Sequence, residues 1–288
     1  MQVRANGVTL EYDEVGSGDP IVLVMGLGAQ LVHWDERFCA ALAARGFRVI
    51  RFDNRDVGLS TKIEGRRAPL PLQAMLLGFL GLPVRAPYTL SDMAADTVGL
   101  LDALSIDRTH IVGASMGGMI AQVVALEHPR RVRTMTSIMS TTGDRRAGYP
   151  RRRALRALLG PAPRTRQQAA DRAVKVFGVI GSPGFPRDEK ALRSMAVRAF
   201  DRGAYPPGFL RQFAAIAASG GRGQALRKLQ TPTLVIHGAE DPLIPPSAGR
   251  ATARAIPGAR LVMIPGMGHD LAPGAWPTII DEIADHAR

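Results

Sequence analysis

One cysteine in 288 residues, Cys39, permits no internal disulfide, so the chain is expected to fold on its core alone in a reducing compartment. Cys39 falls in the helical pattern of 34–42, where a buried structural thiol is expected. Long hydrophobic runs are also lacking. The longest apolar tract, within 70–84, is broken by Gln73, two glycines and prolines, and the stretch from Met1 to Gly7 has no apolar segment of the kind a secretory signal carries. A cytoplasmic protein without a membrane span is the expectation. No metal-ligand spacing occurs, so no metal is expected. Aromatic residues make up only 5% of the chain, and none is interleaved with the arginines of 145–166. The net charge of +12 is therefore read as a solvated basic surface, and nucleic acid is set aside as a partner.

What the chain does have is 46% hydrophobic residues at a mean hydropathy of +0.01, enough for one sizeable core with an appended subdomain. It is organised around 109–118, Thr-His-Ile-Val-Gly-Ala-Ser-Met-Gly-Gly. Ile111 and Val112 form an apolar strand, while Met119, Ile120, Val123, Val124 and Leu126 recur at helical spacing. Ser115 thus falls at a strand-to-helix joint inside Gly-x-Ser-x-Gly. Such a joint needs its glycines, because a side chain at Gly113 or Gly117 would strike the neighbouring strand or helix.

In chain order, alternation over 8–12 reads as an edge strand, and the apolar runs at 21–25 and 47–52 as buried strands flanking a helix over 34–45. The turn Asp53 to Ser60 reads as turn chemistry rather than as a direct participant in a reaction. Residues 61–88 form a long connection whose centre, 70–82, is expected to pack as a short helix over the core. Thr89-Leu90-Ser91-Asp92 is a capping-box pattern opening a helix to about 104. A strand at 132–139 follows. From about 142 the strand–helix rhythm stops in an Arg-, Ala- and Pro-rich helical stretch to about 229. It resumes with strands at 233–237 and 260–264 and helices at 247–255 and 276–286. This predicts an α/β fold with a mostly parallel, doubly wound sheet: a core from 1–141 and 230–288, interrupted by a helical cap over 142–229.

A serine hydroxyl is a weak nucleophile until a base removes its proton, and that base needs an acid to fix its tautomer. Two later turns offer both. Asp241 lies just past the 233–237 strand, and His269 lies in the glycine-rich loop after the last strand. Groups at the carboxyl ends of parallel strands converge on one edge. Asp144, after the 132–139 strand, is the runner-up acid. His110, His128, His237 and His286 sit at element ends or in the tail and read as structural.

Four features resemble the α/β-hydrolases in order and spacing: the strand ending Gly26-Leu27-Gly28, the Asp53–Ser60 turn with its Asp-x-Arg-x-x-Gly-x-Ser pattern, Gly113 to Gly117, and the Asp241 and His269 loops. Within that superfamily the chain looks most like bacterial carboxylesterases of the aclacinomycin methylesterase type, from Val24-Met25-Gly26, Arg55-Asp56 and Pro265-Gly266-Met267-Gly268-His269. Met25-Gly26 replaces the His-Gly of many relatives, but the donor needed there is a backbone N–H. The resemblance implies a serine ester hydrolase with Ser115 as nucleophile, His269 as base and Asp241 as its acid, and with the N–H groups of Leu27 and Met116 as oxyanion hole. It needs no cofactor and acts on a small-molecule ester. Met25, His33, Phe177, Phe209 and Phe213 are expected to line the substrate pocket, and a monomer or homodimer is expected. Lactone hydrolysis, carbon–carbon bond hydrolysis and perhydrolysis remain rival activities of the same triad, and a non-catalytic ligand-binding protein on the same fold is the rival from another class.

Overall fold

A computed structural model describes residues 1–288 except the side chains of Phe79 and Arg146. Eight strands, β1 (Gln2–Ala5), β2 (Val8–Val15), β3 (Asp19–Val24), β4 (Phe47–Phe52), β5 (Thr109–Ala114), β6 (Val132–Ile138), β7 (Thr233–Gly238) and β8 (Arg260–Ile264), form one sheet in the order β1-β2-β4-β3-β5-β6-β7-β8. β1 and β2 pair antiparallel, as do β2 and β4; every later pairing is parallel. β1 is outside the sequence reading because its alternation, Val3 and Ala5 inward against Gln2 and Arg4, runs for only four residues. Its hairpin signal was nonetheless present in Asn6-Gly7, both at positive φ, 47° and 77°.

Eleven helices accompany the sheet: α1 (Glu36–Ala43), α2 (Pro71–Leu80), α3 (Leu90–Ala103), α4 (Met116–Glu127), α5 (Arg152–Leu158), α6 (Arg166–Ile180), α7 (Glu189–Asp201), α8 (Pro206–Ser219), α9 (Gly223–Leu226), α10 (Pro246–Ala255) and α11 (Trp276–His286). Side chains alternate across the pleat, so the central strands feed two core layers. Val22, Val24 and Ile111 pack with residues of α3 and α4, while Ile21, Leu23 and Val112 pack with residues of α1 and α11. Strands buried on both faces read as continuous apolar runs, and each such side chain contributes roughly 1.5–3 kcal/mol on burial. The Thr89 capping box forms as expected, Thr89 Oγ1 accepting from the Asp92 amide and Asp92 Oδ2 from the Thr89 amide. α1 is shorter than its apolar pattern because Asp35 caps it, accepting from the Arg37 amide at 2.8 Å.

Between β6 and β7 the chain runs through α5 to α9 without adding a strand. Little of this insertion is fully buried: α7 has no buried residue, and α6 has only Ala169, Ala170 and Ile180. α2 forms where expected but packs against α8, and among its described side chains only Ala74 is fully buried. The expectation that 70–82 covers the core with its apolar face is corrected accordingly: Leu72, Leu76 and Leu80 face outward.

Register decides where the strands deliver their next residues. Val24 lies opposite Gly113, Ala114 opposite Ile138, Ile138 opposite Ile236, and Gly238 opposite Ile264. The loops after β3, β5, β7 and β8 therefore open on one edge of the sheet.

Candidate active site

Ser115 follows β5 and precedes α4 with φ 56° and ψ −118°, a conformation that costs a residue with a Cβ on the order of 1–3 kcal/mol. Its backbone is pinned on both sides. Its amide donates to Ile138 O at 2.9 Å, and its carbonyl accepts from Ser140 Oγ at 2.7 Å. The two flanking glycines are sterically required: a Cβ on Gly113 would overlap the Gly117 carbonyl, and one on Gly117 would overlap the Val24 carbonyl. Ser115 makes no side-chain capping bond to α4, so its Oγ is left for other partners.

That partner is His269, whose Nε2 lies 3.0 Å from Ser115 Oγ, while its Nδ1 lies 2.7 Å from Asp241 Oδ2. Asp241 is almost fully buried, and its Oδ1 accepts the amides of Leu243 and Ile244 at 2.8 and 2.9 Å, which turns Oδ2 toward the imidazole. An imidazole between a hydroxyl and a carboxylate can take the hydroxyl proton while the carboxylate stabilises the resulting cation. His237 is fully buried beside this pair, 3.7 Å from Asp241 Oδ2, and bonds Ile244 O at 2.9 Å. Burial lowers its pKa, and among the described residues its Nδ1 has no partner.

Gly26 lies directly over Ser115: a Cβ there would stand 3.1 Å from the serine Cβ. Among the described residues no protein acceptor takes the amides of Leu27 or Met116, and the latter opens the twelve-residue α4. A free N–H at a helix N-terminus is suited to negative charge. The loop carrying Leu27 is held from behind. Leu31 N donates to Asp53 Oδ1 at 2.7 Å, and Asn54 Nδ2 donates to Met25 O at 3.1 Å.

The insertion grips this edge in three places that sequence reading missed. Gln212 of α8, fully buried, accepts from Gly28 N at 2.8 Å and donates to Arg55 O at 2.8 Å. Arg202 and Arg211 reach Asp53 and Asp56 of the turn after β4, at 2.6 and 2.8 Å. The loop of His269 is bound to the end of α6: His269 N donates to Ile180 O at 2.7 Å, Gly268 N to Ser182 Oγ at 2.9 Å, and Ser182 Oγ donates to Asp270. Burial raises the Asp270 pKa, opposed by that serine bond. The partners in these contacts are more than eighty residues apart, and no local pattern marks them.

The remaining expected site residues are dispersed. Met25 packs in the core layer of α1 and α11 with Trp34 and Phe38, and the Met116 side chain packs in that of α3 and α4. His33 turns its Nδ1 back to the Gln30 backbone at 3.1 Å, and burial lowers its pKa. Phe209 packs against Gly28, filling the place of its missing side chain, while Phe177 and Phe213 are half-buried in α6 and α8. Asp144, the alternative acid, faces Thr142 and the glycines at 221 and 223 rather than the imidazole. Beside it is buried Arg222, whose pKa burial lowers to about 10.

The family model for the alpha/beta hydrolase fold matches residues 19–273. A rhodomycin D methylesterase of Streptomyces sp. (strain C5) is 28% identical over 99% of this chain and 97% of its own. A 2-hydroxymuconate semialdehyde hydrolase of Pseudomonas sp. (strain CF600) is 28% identical over 93% of this chain and 86% of its own. Among solved structures, the enol-lactonase of Burkholderia xenovorans LB400 aligns with a TM-score of 0.73 at 25% identity, covering 99% of each chain.

Proposed function

The chain belongs to the alpha/beta hydrolase fold family, and on that premise we propose that it is a serine carboxylic-ester hydrolase working through an acyl-enzyme. The observation that carries this reading is the chain of contacts from Ser115 Oγ through His269 to Asp241, at 3.0 and 2.7 Å, on a strained turn. Ser115 Oγ attacks the ester carbonyl as His269 Nε2 takes its proton, forming a tetrahedral oxyanion against the N–H groups of Leu27 and Met116. Collapse expels the alcohol, which receives the proton from His269. Water then attacks the acyl-enzyme by the same route, releasing the acid and restoring Ser115. Asp241 keeps the proton-bearing Nδ1 of His269 turned toward itself throughout. The cycle needs no cofactor.

Residues 142–229 serve in this reading as a cap that admits the substrate, a small or medium ester with an apolar acyl or alcohol part. Phe209 on Gly28 supports that preference, because it sets an apolar ring beside the loop where the ester carbonyl would lie. The relatives named above as a methylesterase, a semialdehyde hydrolase and an enol-lactonase support hydrolysis as the common reaction.

The test is turnover of p-nitrophenyl esters of increasing chain length beside a dienoate carbon–carbon substrate and a lactone, with fluorophosphonate labelling located by mass spectrometry. The expected result is a burst of nitrophenol, faster ester than dienoate or lactone turnover, and the label on Ser115. Faster dienoate or lactone turnover would reassign the bond. No label and no turnover on any substrate would make the protein a binding member of the fold.

A further inference from the structure

Nine large hydrophobic side chains stand exposed among the described residues, and five of them, Leu70, Leu72, Leu76, Leu80 and Leu82, lie on α2 and its two ends. Singly scattered apolar residues need no explanation; a concentration on one short helix does. Leu72, Leu76 and Leu80 follow one another four residues apart and form a single stripe, 71%, 58% and 56% exposed. On the other side of the helix Ala74 is fully buried and Met75 and Leu77 half-buried, where α2 packs against α8. A helix this rich in apolar residues is ordinarily covered, and here its Leu72, Leu76 and Leu80 stripe is not.

Charge says what covers it. From 65 to 91 the charged residues are Arg66, Arg67 and Arg85, with no acid; from 145 to 170 there are eight arginines and again no acid. The two segments touch: Arg145 Nη2 donates to Gly78 O at 3.1 Å, which ties the start of the second segment to the back of α2. Arg66, Arg67 and Arg85 are exposed, as are the three arginines at 151–153, and among the described residues no carboxylate pairs with Arg85, Arg152 or Arg153. A second copy of the chain is a poor occupant, because a symmetric contact would set these all-positive flanks against themselves. A surface that is apolar beneath and negatively charged at its rim satisfies both halves of the patch.

We infer that α2 and the flanking arginines dock the protein on an anionic phospholipid bilayer, with the Leu72, Leu76 and Leu80 stripe lying in the interface plane and the arginines on lipid headgroups. The helix lies on the membrane and does not cross it; no helix among the described residues is long and apolar enough to do so.

The experiment is co-sedimentation of the full chain with vesicles of phosphatidylcholine alone and of phosphatidylcholine with phosphatidylglycerol. Binding is expected to the anionic vesicles only and to weaken as salt is raised. The Leu72→Asp/Leu76→Asp double variant should bind at least about tenfold more weakly with an unchanged circular dichroism spectrum and melting temperature, since both side chains are exposed. Each of Arg67→Glu and Arg85→Glu, exposed just before and just after α2, should lower binding about fivefold or more and flatten the salt dependence. In Leu76→Trp the added indole should shift its emission to the blue on anionic vesicles. Equal binding to both vesicle types, or wild-type binding by the double Asp variant, would overturn the inference. So would a wild-type dimer that the double Asp variant turns into a monomer without any vesicle binding, which would make this face a contact between copies.

Discussion

The edge of the sheet that carries Ser115 and the helical insertion above it are held by opposite means. At the edge, position comes from backbone: β5 is buried along all six residues, and Gly113 and Gly117 lie against carbonyls where a Cβ would overlap. In the insertion, position comes from polar side chains. α7 buries no residue fully, and the insertion is fastened through Arg202 to Asp53, Arg211 to Asp56, and Gln212 to Gly28. Apolar burial is non-directional, whereas charge-assisted bonds fix orientation; removing one partner of a buried pair costs several kcal/mol because the other is stranded. The difference teaches that the insertion is a latched part rather than a second core. These latches end on the loop of Leu27 and on the Asp53–Asp56 turn behind it, and Ile180 and Ser182 at the end of α6 hold the loop of His269 in the same way.

The sharpest way to break this comparison is to show that the edge does not hold the chemistry. Ser115→Ala should lower ester kcat on the order of 10⁴-fold or more with the fold intact, as measured by steady-state turnover and circular dichroism. Retention of a tenth of the activity would remove Ser115 as nucleophile and leave the insertion as the place to look. Next in size, Asp241→Asn should cost on the order of 10³- to 10⁴-fold in kcat/KM, and Asp144→Asn less than about tenfold, because only Asp241 touches His269. The opposite ranking would sever the carboxylate from the edge.

A latch variant sharpens the comparison. Gln212→Ala strands the Gly28 amide and the Arg55 carbonyl, at roughly 1–3 kcal/mol per unmet buried group, and loosens the loop of Leu27. A kcat about tenfold lower at nearly unchanged KM is expected, with Gln212→Glu restoring part of it through the Gly28 bond. A change in KM alone would reduce the latch to a substrate gate. Phe209→Ala should do the reverse, raising KM a few-fold for longer acyl chains and leaving kcat on short esters within about twofold. Equal losses on all chain lengths would put the ring in the reaction itself.

The smallest expected effect concerns the core. Burial pushes His110 down to about 4 from its ordinary 6.5, so the unfolded chain takes up this proton first as the pH falls. Its contribution to stability is complete above pH 6.5 and is lost progressively down to about pH 4. The melting temperature should decline over that window, and less steeply in His110→Gln. Identical slopes would assign the decline to other groups, among them His237, His33 and His286, whose pKa values burial also lowers.

The sequence by itself determined whatever is encoded within a few consecutive residues. The buried strands were legible because strands covered on both faces must be apolar throughout. The cap of α3 was legible in Thr89 and Asp92, and the elbow in two glycines that no other residue replaces. Parallel strands present the Asp144 and Asp241 loops on one edge alike, and it was the arginines beside Asp144, Arg145 and Arg146, that marked its loop as a surface turn and left Asp241 as the acid. Tertiary structure alone decided what depends on partners far apart in the chain. Gln212, Arg202 and Arg211 look like ordinary polar positions of helices until the Asp53–Asp56 turn and Gly28 are folded beneath them. Met25 reads as pocket lining from its place beside Gly26, yet its side chain points to the core layer of Trp34 and Phe38. The apolar stretch 70–82 reads as a short amphipathic helix packed over the core because hydrophobicity records the wish to be covered and not what does the covering. Which face α8 takes, and that the leucine stripe is left outside, follows only from the packed geometry of the whole chain.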